Sequence, residues 1–199
     1  MSMTLSHPSS CLILVILLFS GSASGTYIIP HFMNKAARML NRARKARQSR
    51  EFLQAHNMAR ESAGVPPLQW NKGLARYADK WAKQRQPDCN MIHSNGPYGE
   101  NLFWYRRRRT WSMERVVTKW FEERFNYDTK TNTCASGQKC GHYTQMVWRT
   151  TTAVGCARVK CNNRRGYLVV CEYDPRGNYE GESPFDQNNL TEKKKLEID

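Results

Sequence analysis

Gly141-His142-Tyr143-Thr144-Gln145-Met146-Val147-Trp148 is the stretch on which the fold turns. Cys134 and Cys140 precede it, and Cys156, Cys161 and Cys171 follow it. With Cys89 these make six cysteines, once Cys11 in an apolar leader is set aside from the seven of the whole chain. An even cysteine count in a small exported chain reads as a disulfide framework. A histidine inside that framework is held by covalent bonds, so the chain is expected to build a rigid, stapled site.

The leader runs Cys11-Leu12-Ile13-Leu14-Val15-Ile16-Leu17-Leu18-Phe19 and is followed by Ser20, Gly21, Ser22, Ala23, Ser24 and Gly25. It is too short to span a bilayer, which takes roughly 20 apolar residues. An apolar run with a small-residue tail predicts a secretory signal peptide over 1–25, cleaved near Ala23 or Gly25. An uncleaved anchor is the alternative. Secretion to the extracellular space follows, and export sets nucleic acid aside as a partner.

The 199 residues carry 31 Lys+Arg against 17 Asp+Glu, a formal net charge of +14. That length predicts one domain with tails, large enough for its own core. The charge favours acidic partners such as membrane surfaces and cell-wall polyanions. Residues 26–49 read as a basic arm, a solvated tail or exposed helix. Lys35, Arg38, Arg42, Arg44, Lys45 and Arg47, with Arg50 just beyond, bring no acid among them. Such an arm can tether to anionic surfaces, or be processed at Arg44-Lys45.

The folded domain is expected over 50–185. Phe52, Leu53, His56, Asn57 and Ala59 fall on helical spacing until Gly64-Val65-Pro66-Pro67 stops the helix. Asn71 can cap a second helix whose Leu74, Tyr77, Ala78, Trp81 and Ala82 form a core-facing stripe. Ser112 can cap a third, with Val116, Val117, Trp120 and Phe121 inward. Strands are expected at Tyr143–Trp148, Val154–Lys160 and Tyr167–Tyr173, the last two joined by a turn at Asn162–Gly166. Helices first and antiparallel strands after predict an α+β fold. The tail over 186–199 is polar, is expected to be disordered, and carries a glycosylation sequon at Asn189.

His93, Glu100, Glu123 and His142 are the candidate site residues. Imidazole and carboxylate both ligate zinc, so they can form a metal cup. They can equally be a hydrogen-bonded network that fixes loops to the core. No Gly-x-Ser-x-Gly elbow, His-Glu-x-x-His or Walker loop occurs. Pairing of all six cysteines leaves no thiol nucleophile, so the ordinary hydrolase routes lack support.

Several ordered phrases carry a resemblance: Ala55-His56-Asn57-Met58-Ala59-Arg60, Cys89-Asn90-Met91-Ile92-His93-Ser94, Tyr98-Gly99-Glu100-Asn101-Leu102, Cys140-Gly141-His142-Tyr143-Thr144-Gln145-Met146-Val147-Trp148 and Cys171-Glu172-Tyr173-Asp174-Pro175. The chain resembles the CAP superfamily and, within it, the plant pathogenesis-related 1 proteins. The resemblance implies an α-β-α sandwich with a small antiparallel sheet between helical layers. It implies disulfides Cys89–Cys161, Cys134–Cys140 and Cys156–Cys171, where sequence alone leaves the pairing open. It places the family's cleft tetrad on His93, Glu100, Glu123 and His142. Glu122 adjoins Glu123, and the position three after Trp120 favours Glu123. In relatives the two histidines can hold a divalent metal such as zinc; no cofactor is required.

The resemblance further implies a non-enzymatic monomer that binds sterol or other lipid and acts in plant defence against fungi and oomycetes, in the apoplast or cell wall. The alternatives are a metal-dependent hydrolase and the precursor of a C-terminal signalling peptide. Two departures stand out. Glu172 replaces the usual Asn, which weighs against the peptide. After Leu102, where relatives are small and Gly-rich, this chain reads Phe103-Trp104-Tyr105-Arg106-Arg107-Arg108-Arg109-Thr110-Trp111. Trp104 and Arg106 to Arg109 are candidates for a lipid interface, with rings buried and guanidiniums on phosphates.

Overall fold

The computed structural model describes residues 28–106, 111–162 and 166–186, with side chains from 35 onward. The chain divides into two units, Met1–Asn41 and Arg42–Asp199. In the first, the described part is helical. The second holds the sheet, the core and the cleft.

Helix α1 runs Ile28–Ser62, so the basic arm and the first expected helix are one element. It ends where Gly64 adopts a φ of 68°, a conformation only glycine enters without strain. β1 (Gln69–Trp70) leads into α2 (Lys72–Gln84). Asn71 caps α2 as expected, its side chain accepting from the Gly73 and Leu74 N–H groups. β2 spans Gly99–Arg106 and α3 spans Met113–Phe121, capped by Ser112, whose hydroxyl accepts from the Arg115 N–H. A 3-10 turn over Glu122–Asn126 and the short strands β3 (Tyr127–Asp128) and β4 (Thr133–Cys134) follow. α4 (Gly141–Met146), β5 (Ala153–Lys160) and β6 (Gly166–Asp174) complete the order.

The main sheet has strand order β1-β5-β6-β2, antiparallel except for the β1–β5 pair. Side chains alternate across a strand, and here both faces are covered. Val169, Cys171 and Tyr173 join one core with Phe52, Val116, Trp120 and Met146. Leu168 and Val170 join the other with Ala78, Ala82 and Leu102. Helices α1, α3 and α4 thus lie on one face and α2 on the other, which is the expected sandwich. At Gly155 any Cβ would fall 2.2 Å from the Ala75 N, so glycine lets α2 approach the sheet closely.

One sequence expectation requires correction. Tyr143–Trp148 is not a strand: the stretch is α4 and its C-terminal cap. Its β-forming composition is overridden because Tyr143, Met146 and Val147 lie at i, i+3 and i+4 and are all buried in one core. The aromatic residues directly after Leu102, Phe103 to Tyr105, lie with Arg106 in strand β2. Leu102 and Trp104 face one core while Phe103 and Tyr105 face the other, so no polar alternation marks it in the sequence.

Disulfides join Cys89–Cys161, Cys134–Cys140 and Cys156–Cys171. Such bridges fit an oxidising, extracellular environment.

Candidate functional site

The four candidates form two equivalent pairs. His93 Nδ1 lies 2.6 Å from Glu100 Oε1, and the same oxygen accepts from the Ser94 N–H at 3.0 Å. His142 Nδ1 lies 2.6 Å from Glu123 Oε1, and the second Glu123 oxygen accepts from the His142 N–H at 3.0 Å. Each carboxylate therefore grips one imidazole and the backbone beside it. Each imidazole donates through Nδ1, which leaves Nε2 as the free ring nitrogen. Glu123 is the partner of His142, while Glu122 pairs with Lys119.

The elements explain this geometry. His93 sits in the connection after α2, whose origin Cys89 is tied to Cys161 at the end of β5. Glu100 is the second residue of β2. Glu123 follows α3, and the Cys134–Cys140 bridge closes directly before His142. The His142 ring stacks on Trp120, with centroids 6.0 Å apart and planes at 20°. Both pairs line one open cleft of about 1020 Å³, with Phe103, Trp120, Trp148 and Tyr179 among its walls.

Electrostatics ties the His93–Glu100 pair to a third carboxyl. The hydrogen bond to Glu100 raises the His93 pKa above its ordinary value, against a smaller opposing effect of burial. For Glu100, burial pushes the pKa up, but the bonds from His93, Glu172 and Ser94 outweigh it and hold the carboxyl below its usual range. Directly across the β2–β6 ladder from Glu100 lies Glu172. It is fully buried, and its carboxyl hydrogen-bonds with that of Glu100. Burial, then the Glu100 carboxylate, pushes its pKa up to about 9. The proton of this pair therefore sits on Glu172.

Beneath the cleft runs a network that sequence reasoning missed. Asn101 Nδ2 donates to the His142 carbonyl at 3.0 Å and to the Tyr173 hydroxyl at 3.1 Å. Tyr173 donates to His56 Nε2 at 2.8 Å, and His56 Nδ1 donates to the Phe52 carbonyl at 2.7 Å. The carbonyl acceptor fixes the tautomer. Burial lowers the His56 pKa to about 4, so this histidine is neutral and structural. Arg60, fully buried, donates to the Pro66, Met146, Trp148 and Thr151 carbonyls and locks the chain leaving α4. Both His56 and Arg60 stand in the phrase Ala55–Arg60. Their position on the buried face of α1 was the available signal.

Of the lipid-interface candidates, Trp104 is half-buried against the α2-side core and Arg106 is exposed. Arg107, Arg108 and Arg109 lie outside the described residues, as do Asn189 and the leader. Among the described residues, no group of three or more His, Cys, Asp or Glu has metal-holding geometry. His93 and His142 line the same cleft, each ring oriented by a carboxylate through its Nδ1.

The cysteine-rich secretory protein family model, CAP, matches residues 53–173. The chain is 51% identical over 144 residues to pathogenesis-related protein 1A of Nicotiana tabacum, covering 72% of this chain and 83% of that one. It is 42% identical over 177 residues to pathogenesis-related protein PR-1 of Medicago truncatula, covering 89% and 96%. Among solved structures, the Schistosoma mansoni venom allergen-like protein 4 matches with TM-score 0.55 and 31% identity, covering 70% of this chain and 94% of that one. The chain belongs to the CAP family, and its relatives there are the plant pathogenesis-related 1 proteins.

Proposed function

We propose that the protein is a secreted, non-enzymatic defence protein that binds sterol or a related lipid and acts in the apoplast or cell wall against fungi and oomycetes. The observation that carries this reading is the cleft: about 1020 Å³, open, with Phe103, Trp104 and Tyr179 among many polar lining side chains and both His–Glu pairs held in fixed orientation. That combination is the general form of a small-molecule site. The disulfides and the family membership support secretion. Purified protein should bind sterol or a related lipid saturably, and failure to bind any would overturn the reading.

A second reading is favoured by one observation, the two Nδ1-anchored imidazoles facing the same cleft. A divalent metal such as zinc held by His93 and His142 would supply a Lewis acid and an activated water. Glu100 and Glu123 would orient the rings. A hydrolase built this way loses turnover in His142→Ala, and turnover that survives rules the mechanism out.

A further inference from the structure

We infer that the stretch of α1 preceding the CAP-matched residues is an interfacial helix that lies on anionic phospholipid bilayers through its own apolar stripe. This goes beyond the cleft reading and does not depend on it.

Within α1, Ala36, Met39, Leu40 and Ala43 stand at i, i+3, i+4 and i+7, one face of a helix. In the sequence the same spacing reaches back through Phe32 and Ile29. Lys35, Arg38, Arg42 and Lys45 stand at i, i+3, i+7 and i+10, a stripe beside the first. Every residue from 35 to 47 is exposed. Met39 is 61% exposed and Leu40 is 72% exposed, among the largest exposed apolar side chains of the described residues. Lys35, Arg38, Arg42 and Arg44 have no acidic partner among the described residues, whereas Lys45 reaches Asp79.

Helical propensity alone leaves a water-exposed helix marginal, so a segment of this length gains from a surface that takes its apolar face. Charge decides which surface. A second copy of the chain would bring the same unpaired cations against these. An anionic bilayer takes Met39 and Leu40 at the acyl boundary and lets the long Lys and Arg side chains reach headgroup phosphates. No described helix is long and apolar enough to cross a membrane, so the geometry is in-plane.

The test is vesicle flotation of the secreted chain. The vesicles contain either equal parts phosphatidylserine and phosphatidylcholine or phosphatidylcholine alone, at about 0.1 M and about 1 M salt, where the Debye length falls from about 10 to about 3 Å. The chain should float with the anionic vesicles at low salt only. Met39→Glu/Leu40→Glu should weaken binding at least about tenfold, and Lys35→Gln/Arg38→Gln/Arg42→Gln about a hundredfold, at roughly fivefold per cation. These positions are exposed, so unchanged thermal midpoints verify that the body stays folded. His93→Ala/His142→Ala should float like wild type, which separates this surface from the cleft. The inference is overturned if the wild type ignores anionic vesicles, or if the Glu variant floats as well as wild type. It also fails if polygalacturonate alone is bound, or if mass spectrometry shows the secreted chain beginning after Lys45.

Discussion

Glu172 is where a single residue sets a property of the whole protein. An ordinary carboxyl of this type titrates near 4.5, and this one near 9. The folded state therefore keeps a proton that the unfolded chain releases, and stability falls as pH rises from about 4.5 to about 9. A tenfold change in a protonation equilibrium corresponds to about 1.4 kcal/mol, so the cost at the alkaline end reaches several kcal/mol. His93 acts in the same direction. Its raised pKa gives stability that is present below the ordinary imidazole value and lost as pH climbs through the folded one. We predict a thermal midpoint that declines from pH 5 towards pH 9, and a Glu172→Gln variant whose midpoint is higher at the alkaline end and much flatter between. A variant as steep as wild type would mean that Glu172 ionises freely in the fold. A companion NMR titration of Glu100→Gln should show the His93 pKa moving down, because the Glu100 hydrogen bond is the main cause of its elevation.

Elements were legible where one physical rule decided them. Asn71 and Ser112 announced α2 and α3 because a capping side chain with an apolar stripe behind it has few other uses. β5 and β6 were legible from a β-forming run on either side of a turn. α4 was not, because Tyr143, Val147 and Trp148 favour strands in isolation and the helix is selected by tertiary burial of Tyr143, Met146 and Val147, Tyr143 packing against Tyr127 and Phe121. β2 hid because both of its faces are buried. The four cleft residues could be named as candidates from their chemistry, but only the ordered family phrases put them in one cleft, since no spacing rule brings His93 to Glu100 and His142 to Glu123. The His56–Tyr173–Asn101 chain was invisible, since its members are far apart in sequence. The disulfides rank by the loops they close. Cys134–Cys140 spans a sequence separation of 6 and Cys89–Cys161 one of 72. Chain-entropy arithmetic gives about 2 kcal/mol for the first and about 4 kcal/mol for the second. Urea denaturation of the two Cys→Ser double variants should preserve that order. The first should also broaden the His142 resonances more than its stability loss explains, because the bridge ends two residues before that ring.

At the scale of the whole molecule, the cleft exists only because separate segments converge: the connection after α2, β2, the turn after α3 and the start of α4. Two imidazoles are too few for a closed structural zinc, so a metal proposed at His93 and His142 would be held weakly, with its other positions left to water or ligand. Zinc should therefore bind once per chain, with micromolar rather than picomolar affinity, and the binding should disappear in His93→Ala and in His142→Ala alike. Proton competition adds a sign. Because Glu100 raises the His93 pKa, protons contest Nε2 from a higher pH than for an ordinary imidazole, and zinc affinity should weaken as pH falls through that raised value. Glu100→Gln should move the onset of weakening to lower pH. Isothermal titration across pH with the three variants separates the outcomes. Heat that persists in His142→Ala places the metal elsewhere. No heat in any of them makes the two His–Glu pairs a network whose work is to hold the cleft walls, and the search for a ligand then moves to the partly exposed aromatic residues of the cleft, Phe103, Trp104 and Tyr179.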